Sequence, residues 1–131
     1  MADHVAGPTV VVVDDEPLVA QLIQDALEEA GFQVVLALDC DGAIAVVESH
    51  LDDLAGIVTD VNLGAGPTGW DVAAKAREMI PTLPVIYVTG DSGHLWPSHG
   101  VPQSVIITKP FAAAQIVVAL AGLANQNHPA S

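Results

Sequence analysis

The chain is 131 residues long, which fits one domain and leaves no room for a second core of useful size. It has 16 acidic and 3 basic residues, a formal net charge of -13, and 51% of its residues are hydrophobic. That hydrophobic content excludes intrinsic disorder. The negative charge argues against binding to nucleic acid or to an anionic membrane surface.

Export and membrane insertion are not indicated by the sequence. The N-terminus lacks the basic region and apolar run of a secretory signal, and the longest apolar stretch, 112–124, is too short to span a bilayer. The single cysteine, Cys40, has no partner for an internal disulfide. We therefore expect a cytoplasmic location. We also expect an N-terminal tail at 1–8, the domain at 9–125 and a C-terminal tail at 126–131.

Short β-branched runs alternate along the chain with longer stretches of helical periodicity. In chain order, this pattern predicts a strand at 9–13, a helix at 17–30, a strand at 33–38, a helix at 41–49, a strand at 56–59, a helix at 70–79, strands at 84–88 and 104–108, and a helix at 112–124. Pro17 suits the first helical turn and Gly31 the end of that helix, while Asp39 or Asp41 is a suitable cap for the second.

The alternation of strands and helices predicts a doubly wound α/β fold with a five-stranded parallel sheet, since parallel neighbours need a crossover between them. The predicted strands are apolar throughout, as expected when helices cover both faces of the sheet. The segment between Thr89 and Lys109 contains Gly93, Pro97, Gly100 and Pro102. We therefore expect the fourth helix to be short or irregular.

Polar residues follow the predicted strands at their carboxyl ends, where open parallel sheets bind ligands. They are Asp14, Asp15, Asp60, Thr89 and Lys109. Crowded carboxylates need a counter-charge, which a hard cation such as Mg²⁺ supplies. A carboxylate that attacks phosphorus forms an aspartyl phosphate, and Asp60 is the best candidate because it ends the central strand. Taken by themselves, Asp14, Asp15 and Glu16 would be explained as acids that favour the N-terminus of a helix.

Four motifs occur in order, and together they are far more specific than any one alone: VVVDDE at 11–16, VTDVNL at 58–63, VTG at 88–90 and TKPF at 108–111. In this set the sequence resembles the receiver domain of two-component response regulators. The resemblance implies the flavodoxin-like strand order 2-1-3-4-5 with helices on both faces. It also implies a cis peptide bond between Lys109 and Pro110.

The resemblance assigns a role to each residue of the predicted site. Asp60 would be the phosphoacceptor, Thr89 would contact the phosphoryl group, and Lys109 would pair with a phosphoryl oxygen. The implied Mg²⁺ ligands are Asp15 and Asp60 directly, Asp14 through water, and the backbone carbonyl of Asn62.

The function implied is that of a stand-alone receiver, phosphorylated by a histidine kinase or a histidine phosphotransfer protein. It would catalyse only its own phosphorylation and dephosphorylation, and signal through a protein partner or a phosphorelay. Exposed Leu18 and Leu22 would dock against the kinase, although core packing explains them as well. Two alternatives remain: a small phosphohydrolase with an aspartyl-phosphate intermediate, and a binding module that acts without phosphorylation.

The sequence departs from the family pattern in three places. Ile106 stands where the family usually has Tyr or Phe, Gly64 stands where Pro is common, and the fourth helix is broken. We therefore expect signalling to involve rearrangement of residues 90–102 rather than a ring movement. Trp96, in this segment, suits either a partner anchor or a residue packed at the sheet edge.

Overall fold

The structure is a computed structural model that describes residues 7–64 and 66–127. Its strands are β1 (Thr9–Val13), β2 (Gln33–Ala37), β3 (Leu54–Asp60), β4 (Val85–Thr89) and β5 (Ser104–Thr108). Its helices are α1 (Pro17–Glu29), α2 (Cys40–Ser49), α3 (Gly69–Met79), α4 (Trp96–His99) and α5 (Ala113–Asn127). The strands form one parallel sheet in the order β2-β1-β3-β4-β5, which confirms the predicted doubly wound fold.

The two predicted tails fall largely on residues 1–6 and 128–131, which lie outside the described residues, and their boundaries remain predictions. Within the described ranges, no helix combines the length and apolar character needed to cross a bilayer.

Local sequence signals account for where the helices begin. The side chain of Asp39 accepts a hydrogen bond from the Gly42 amide at 2.8 Å, so Asp39 rather than Asp41 caps α2. Thr68 and Asp71 cap α3 reciprocally, each side chain bonded to the other residue's backbone amide. Pro17 occupies the first turn of α1, where its missing amide hydrogen costs no helical bond.

Each face of the sheet packs against a different pair of helices. Alternate strand residues point to opposite faces of the sheet. One face packs with α2 and α3 through Val11, Val13, Ile57, Val85 and Tyr87. The other face packs with α1 and α5 through Val10, Val12, Val58, Ile86 and Val88. With both faces covered, the polar groups that follow the strands are left at the carboxyl edge of the sheet.

The edge strands depart from the expectation of continuous burial. Every residue of the inner strands β1 and β4 is buried, whereas β2 and β5 are partly exposed. Strand β2 also ends at Ala37, one residue before the predicted end, and leaves Leu38 67% exposed. An edge strand has a neighbour on one side only, so the covering helices do not close over it completely.

The fourth helix is short, as predicted from its glycines and prolines. A 3₁₀ turn at Gly93–Leu95 runs into the four residues of α4. Trp96 is half-buried against the core, and its Nε1 donates a hydrogen bond to Ser104 Oγ at 2.9 Å. These contacts favour packing at the sheet edge over a free partner anchor.

Candidate phosphorylation site

Three carboxylates meet at the carboxyl edge of the sheet. Val13 pairs with Thr59 in the parallel register, so β1 and β3 place Asp14 and Asp60 beside each other. One oxygen from each of Asp14, Asp15 and Asp60 lies within 4.8 Å of the others. The structure thus brings together the three acids that the sequence placed at this edge.

Asp60 lies at the end of β3 with only 5% of its side chain exposed. Its Oδ1 accepts a hydrogen bond from the Asn62 amide at 3.1 Å, and its Oδ2 accepts one from Lys109 Nζ at 3.3 Å. Burial raises the pKa of Asp60, while the Asn62 amide and the Lys109 ammonium oppose that rise by stabilising the anion. Asp60 is therefore a buried carboxylate next to a single cation.

Asp14 is buried more deeply and is less well satisfied. Its Oδ1 accepts a hydrogen bond from the Glu16 amide at 2.8 Å, but its Oδ2 has no hydrogen-bond partner among the described residues. Burial, opposed by the Glu16 amide and reinforced by the charge of Asp60, raises the pKa of Asp14 to about 6. An unpartnered buried carboxylate oxygen costs free energy, which a bound cation would offset.

The cluster fits a hard divalent cation. Asp15 is exposed beside the buried oxygen of Asp14, and Asp60 completes an all-oxygen donor set open to water on one side. Mg²⁺ binds one or two carboxylates and keeps several waters, which such a set allows. The residues present are therefore suited to hold Mg²⁺.

Lys109 joins this cluster through a contact that sequence reasoning missed. Its Nζ lies 3.1 Å from Glu16 Oε1 as well as near Asp60. Burial lowers the pKa of Lys109, but the hydrogen bond to Glu16 and the charge of Asp60 raise it by more. Taken alone, Glu16 is explained as an acid that suits a helix N-terminus, and the sequence assigns it no partner. The available signal was its position next to Asp15 in an unbroken acidic trio.

Thr89 and Asn62 connect the cluster to the segment that follows β4. Thr89 is fully buried, and its Oγ1 accepts a hydrogen bond from the Ser92 amide at 2.9 Å. Asn62 Nδ2 donates to Asp91 Oδ1 at 3.2 Å. Two contacts remain predictions: that of Thr89 with a phosphoryl group and that of the Asn62 carbonyl with a metal.

A buried tyrosine lies beside the position where the family aromatic is missing. Tyr87 pairs directly with Ile106 across β4 and β5, and its hydroxyl accepts a hydrogen bond from the Val101 amide at 3.0 Å. Its ring centroid lies 4.6 Å from that of Trp70. Tyr87 and Thr89 therefore hold the two ends of the segment between β4 and β5, a role that the sequence did not indicate for Tyr87.

Two glycines shape the loop beside Asp60. Gly64 has a φ of +82°, which proline cannot adopt, so the departure from the family pattern at this position has a backbone cause. Gly69 lies directly against the backbone carbonyl of Asp60, and its amide donates to the Val61 carbonyl at 2.8 Å. The loop is thus tied to the end of β3 where it enters α3.

The Lys109–Pro110 peptide bond is cis, as the resemblance to receiver domains implies. Comparison with known proteins agrees with this resemblance, because residues 10–121 match the family described as the response regulator receiver domain. The chain belongs to this family. Among curated relatives of the receiver domain is TcrX of Mycobacterium tuberculosis, a probable transcriptional regulatory protein, 34% identical over 117 residues. The match covers 88% of this chain and 49% of TcrX, so this chain spans about half of that relative's length.

Solved structures show the same receiver fold. A response regulator receiver protein from Sinorhizobium medicae is 36% identical with a TM-score of 0.87, covering 92% of this chain and 97% of that one. The receiver domain of a sensor histidine kinase from Pseudomonas aeruginosa is 22% identical with a TM-score of 0.77, covering 92% and 99%. That structure has a magnesium ion coordinated in its active site cleft.

Proposed function

We propose that this receiver domain accepts a phosphoryl group on Asp60 from the phosphohistidine of a histidine kinase or a histidine phosphotransfer protein. The observation that carries the proposal is the position of the buried Asp60 carboxylate, which lies near the two acids that follow β1 and 3.3 Å from the ammonium of Lys109. A carboxylate oxygen of Asp60 attacks phosphorus, the bond from phosphorus to the imidazole nitrogen breaks, and the nitrogen keeps its electron pair.

Each neighbouring side chain has a role in this transfer. Lys109 Nζ, already 3.3 Å from Asp60 Oδ2, pairs with a phosphoryl oxygen as negative charge arrives. The Thr89 hydroxyl accepts from Ser92 and can still donate its own proton to another phosphoryl oxygen. In this proposal, Asp15 and Asp60 hold Mg²⁺ directly, Asp14 holds it through water, and the Asn62 carbonyl completes the protein ligands. Bound there, Mg²⁺ supplies positive charge that offsets the crowded carboxylates and the phosphoryl oxygens.

The proposed output is signalling rather than turnover of an external substrate. We propose that this receiver domain acts in the cytoplasm and catalyses only its own phosphorylation and dephosphorylation. It then binds a protein partner or passes the phosphoryl group along a relay. Leu18 and Leu22 of α1 are 86% and 50% exposed, and this apolar pair is the proposed contact for the kinase or phosphotransfer protein.

Intact-mass measurement after incubation with acetyl phosphate and Mg²⁺ tests the phosphoacceptor. We expect a single phosphate adduct that is lost in Asp60→Ala and in the absence of the metal. Asp52→Ala removes an exposed acid at the opposite edge of the sheet, and it should keep the adduct. An adduct that survives Asp60→Ala would remove the assignment.

Amide exchange tests the proposed change in the segment after β4. Comparison of the free protein with the beryllofluoride-bound protein should show altered exchange within residues 90–102, because Thr89 and Tyr87 hold the two ends of this segment. Identical exchange throughout these residues would refute the proposed rearrangement.

A further inference from the structure

Glu16 places an additional negative charge at the mouth of the phosphorylation site. Its side chain is 59% exposed, yet its Oε1 lies 3.1 Å from Lys109 Nζ. The same Nζ lies 3.3 Å from Oδ2 of the buried Asp60. Because both contacts share one nitrogen, the carboxylates of Glu16 and Asp60 are at most about two hydrogen-bond lengths apart.

The balance of charge around this nitrogen is strongly negative. Four carboxylates, those of Asp14, Asp15, Glu16 and Asp60, surround the site, and Lys109 is the one basic residue that contacts any of them in the described part of the chain. A bound divalent cation would give the three acids of the metal cluster a counter-charge. Glu16 lies outside that cluster, so its charge acts on whatever approaches Asp60.

A phosphoryl donor must bring its own negative charge into this field. Acetyl phosphate is a dianion at neutral pH. Phosphoramidate carries a protonated nitrogen beside its two phosphoryl charges, so its net charge is only −1. Phosphohistidine with a protonated ring belongs to the same N-phosphoryl class as phosphoramidate. Repulsion by one fixed carboxylate grows in proportion to the charge of the donor.

We propose that Glu16 is a specificity-determining residue for the phosphoryl donor. Its negative charge disfavours dianionic acyl phosphates relative to N-phosphoryl donors of lower net charge. This inference rests on the proposed function, since it assumes that Asp60 is the acceptor. Glu16 does not take part in bond formation; it changes the free energy at which each class of donor reaches Asp60.

The two reactions differ only in the bond that breaks. With acetyl phosphate, a bond forms between Asp60 oxygen and phosphorus, the phosphorus–oxygen bond to the acetyl group breaks, and acetate leaves with the electron pair. With phosphoramidate, the phosphorus–nitrogen bond breaks, and the already protonated nitrogen leaves as ammonia. Both reactions give the same phosphorylated Asp60, so their rates can be compared directly.

Glu16→Gln separates charge from hydrogen bonding, because the Gln carbonyl oxygen can still accept from Lys109 Nζ. We expect its phosphorylation rate constant to rise about fivefold with acetyl phosphate and about twofold with phosphoramidate. These factors assume that water screens the repulsion between Glu16 and the donor almost fully, and that the repulsion is twice as large for the dianion. Each variant is measured at a saturating concentration of Mg²⁺ by intact mass. The difference should vanish at about 1 M salt, where the screening length falls to about 3 Å.

Two variants serve as controls for Glu16→Gln. Glu48→Gln removes the same charge from an exposed position near the end of α2, at the opposite edge of the sheet, and should leave both rate constants unchanged. Glu16→Asp keeps the charge and should retain the ratio of the two rate constants seen in the original chain.

Equal rate changes with both donors, a slower reaction of Glu16→Gln with acetyl phosphate, or a gain that persists in high salt would overturn the inference. A different result would refute the proposed function itself: no adduct from either donor, or an adduct that survives Asp60→Ala.

Discussion

Asp14→Asn should stabilise the metal-free domain while it weakens the site. The structure buries this carboxylate with one oxygen unpartnered among the described residues, and only the Glu16 amide bonds to the other oxygen. The Asn carbonyl can accept that same amide, and its NH₂ group would replace the unpartnered oxygen close to the Asp60 carboxylate. The substitution therefore removes a buried charge and keeps the local hydrogen bond.

The pKa of Asp14 gives the size of the effect. A rise from 3.8 to about 6 is roughly two pKa units. At about 1.4 kcal/mol per unit, this corresponds to a free energy of unfolding about 2–3 kcal/mol higher in Asp14→Asn at neutral pH. Between pH 3.8 and about pH 6, Asp14 holds a proton in the folded state that it has lost in the unfolded state. The stability of the original protein should therefore fall as pH rises from about 4 to about 6, and Asp14→Asn should lose this part of the pH dependence.

Urea unfolding in the presence of a chelator, at pH 4 and at pH 7.5, measures the effect. Asp15→Asn is the matched control, because it removes an exposed acid from the same cluster and should change the stability by less than about 0.5 kcal/mol. Equal stability of Asp14→Asn and the original protein at pH 7.5, or an advantage of the same size at pH 4, would refute the argument from burial.

Three further substitutions test contacts that hold the fold together. Tyr87→Phe leaves the Val101 amide without its acceptor, so we expect a loss of about 1–2 kcal/mol in urea unfolding and faster exchange of that amide; unchanged exchange would contradict this. Arg77→Lys replaces a guanidinium that donates to three backbone carbonyls, and it should lower the free energy of unfolding by about 2–3 kcal/mol. An unchanged midpoint of urea unfolding would show that these bonds are dispensable. Gly69→Ala places a methyl group against the Asp60 carbonyl, so it should lower the free energy of unfolding by about 1–3 kcal/mol and slow formation of the phosphate adduct. An unchanged free energy of unfolding and an unchanged rate of adduct formation would show that the loop can shift.

The order of elements and the edge that carries the chemistry could both be predicted from the sequence. Alternating strands and helices allow few parallel arrangements, and the carboxyl ends of parallel strands share one edge. Asp14, Asp60, Thr89 and Lys109 each directly follow or end an apolar run, so their common location follows from chain order alone. The short fourth helix was equally predictable, because glycine and proline act locally on the backbone.

Contacts between residues far apart in the chain were decided only by the tertiary structure. Glu16 and Lys109 are 93 positions apart, and their ion pair depends on how α1 and β5 are placed at the sheet edge. The hydrogen bond from the Val101 amide joins the far end of an irregular segment, which has no sequence periodicity, to Tyr87 of β4. The partial exposure of β2 likewise depends on its position as an edge strand. Local propensity determines which elements form, but the partners of a side chain depend on packing between elements, which no single segment of sequence encodes.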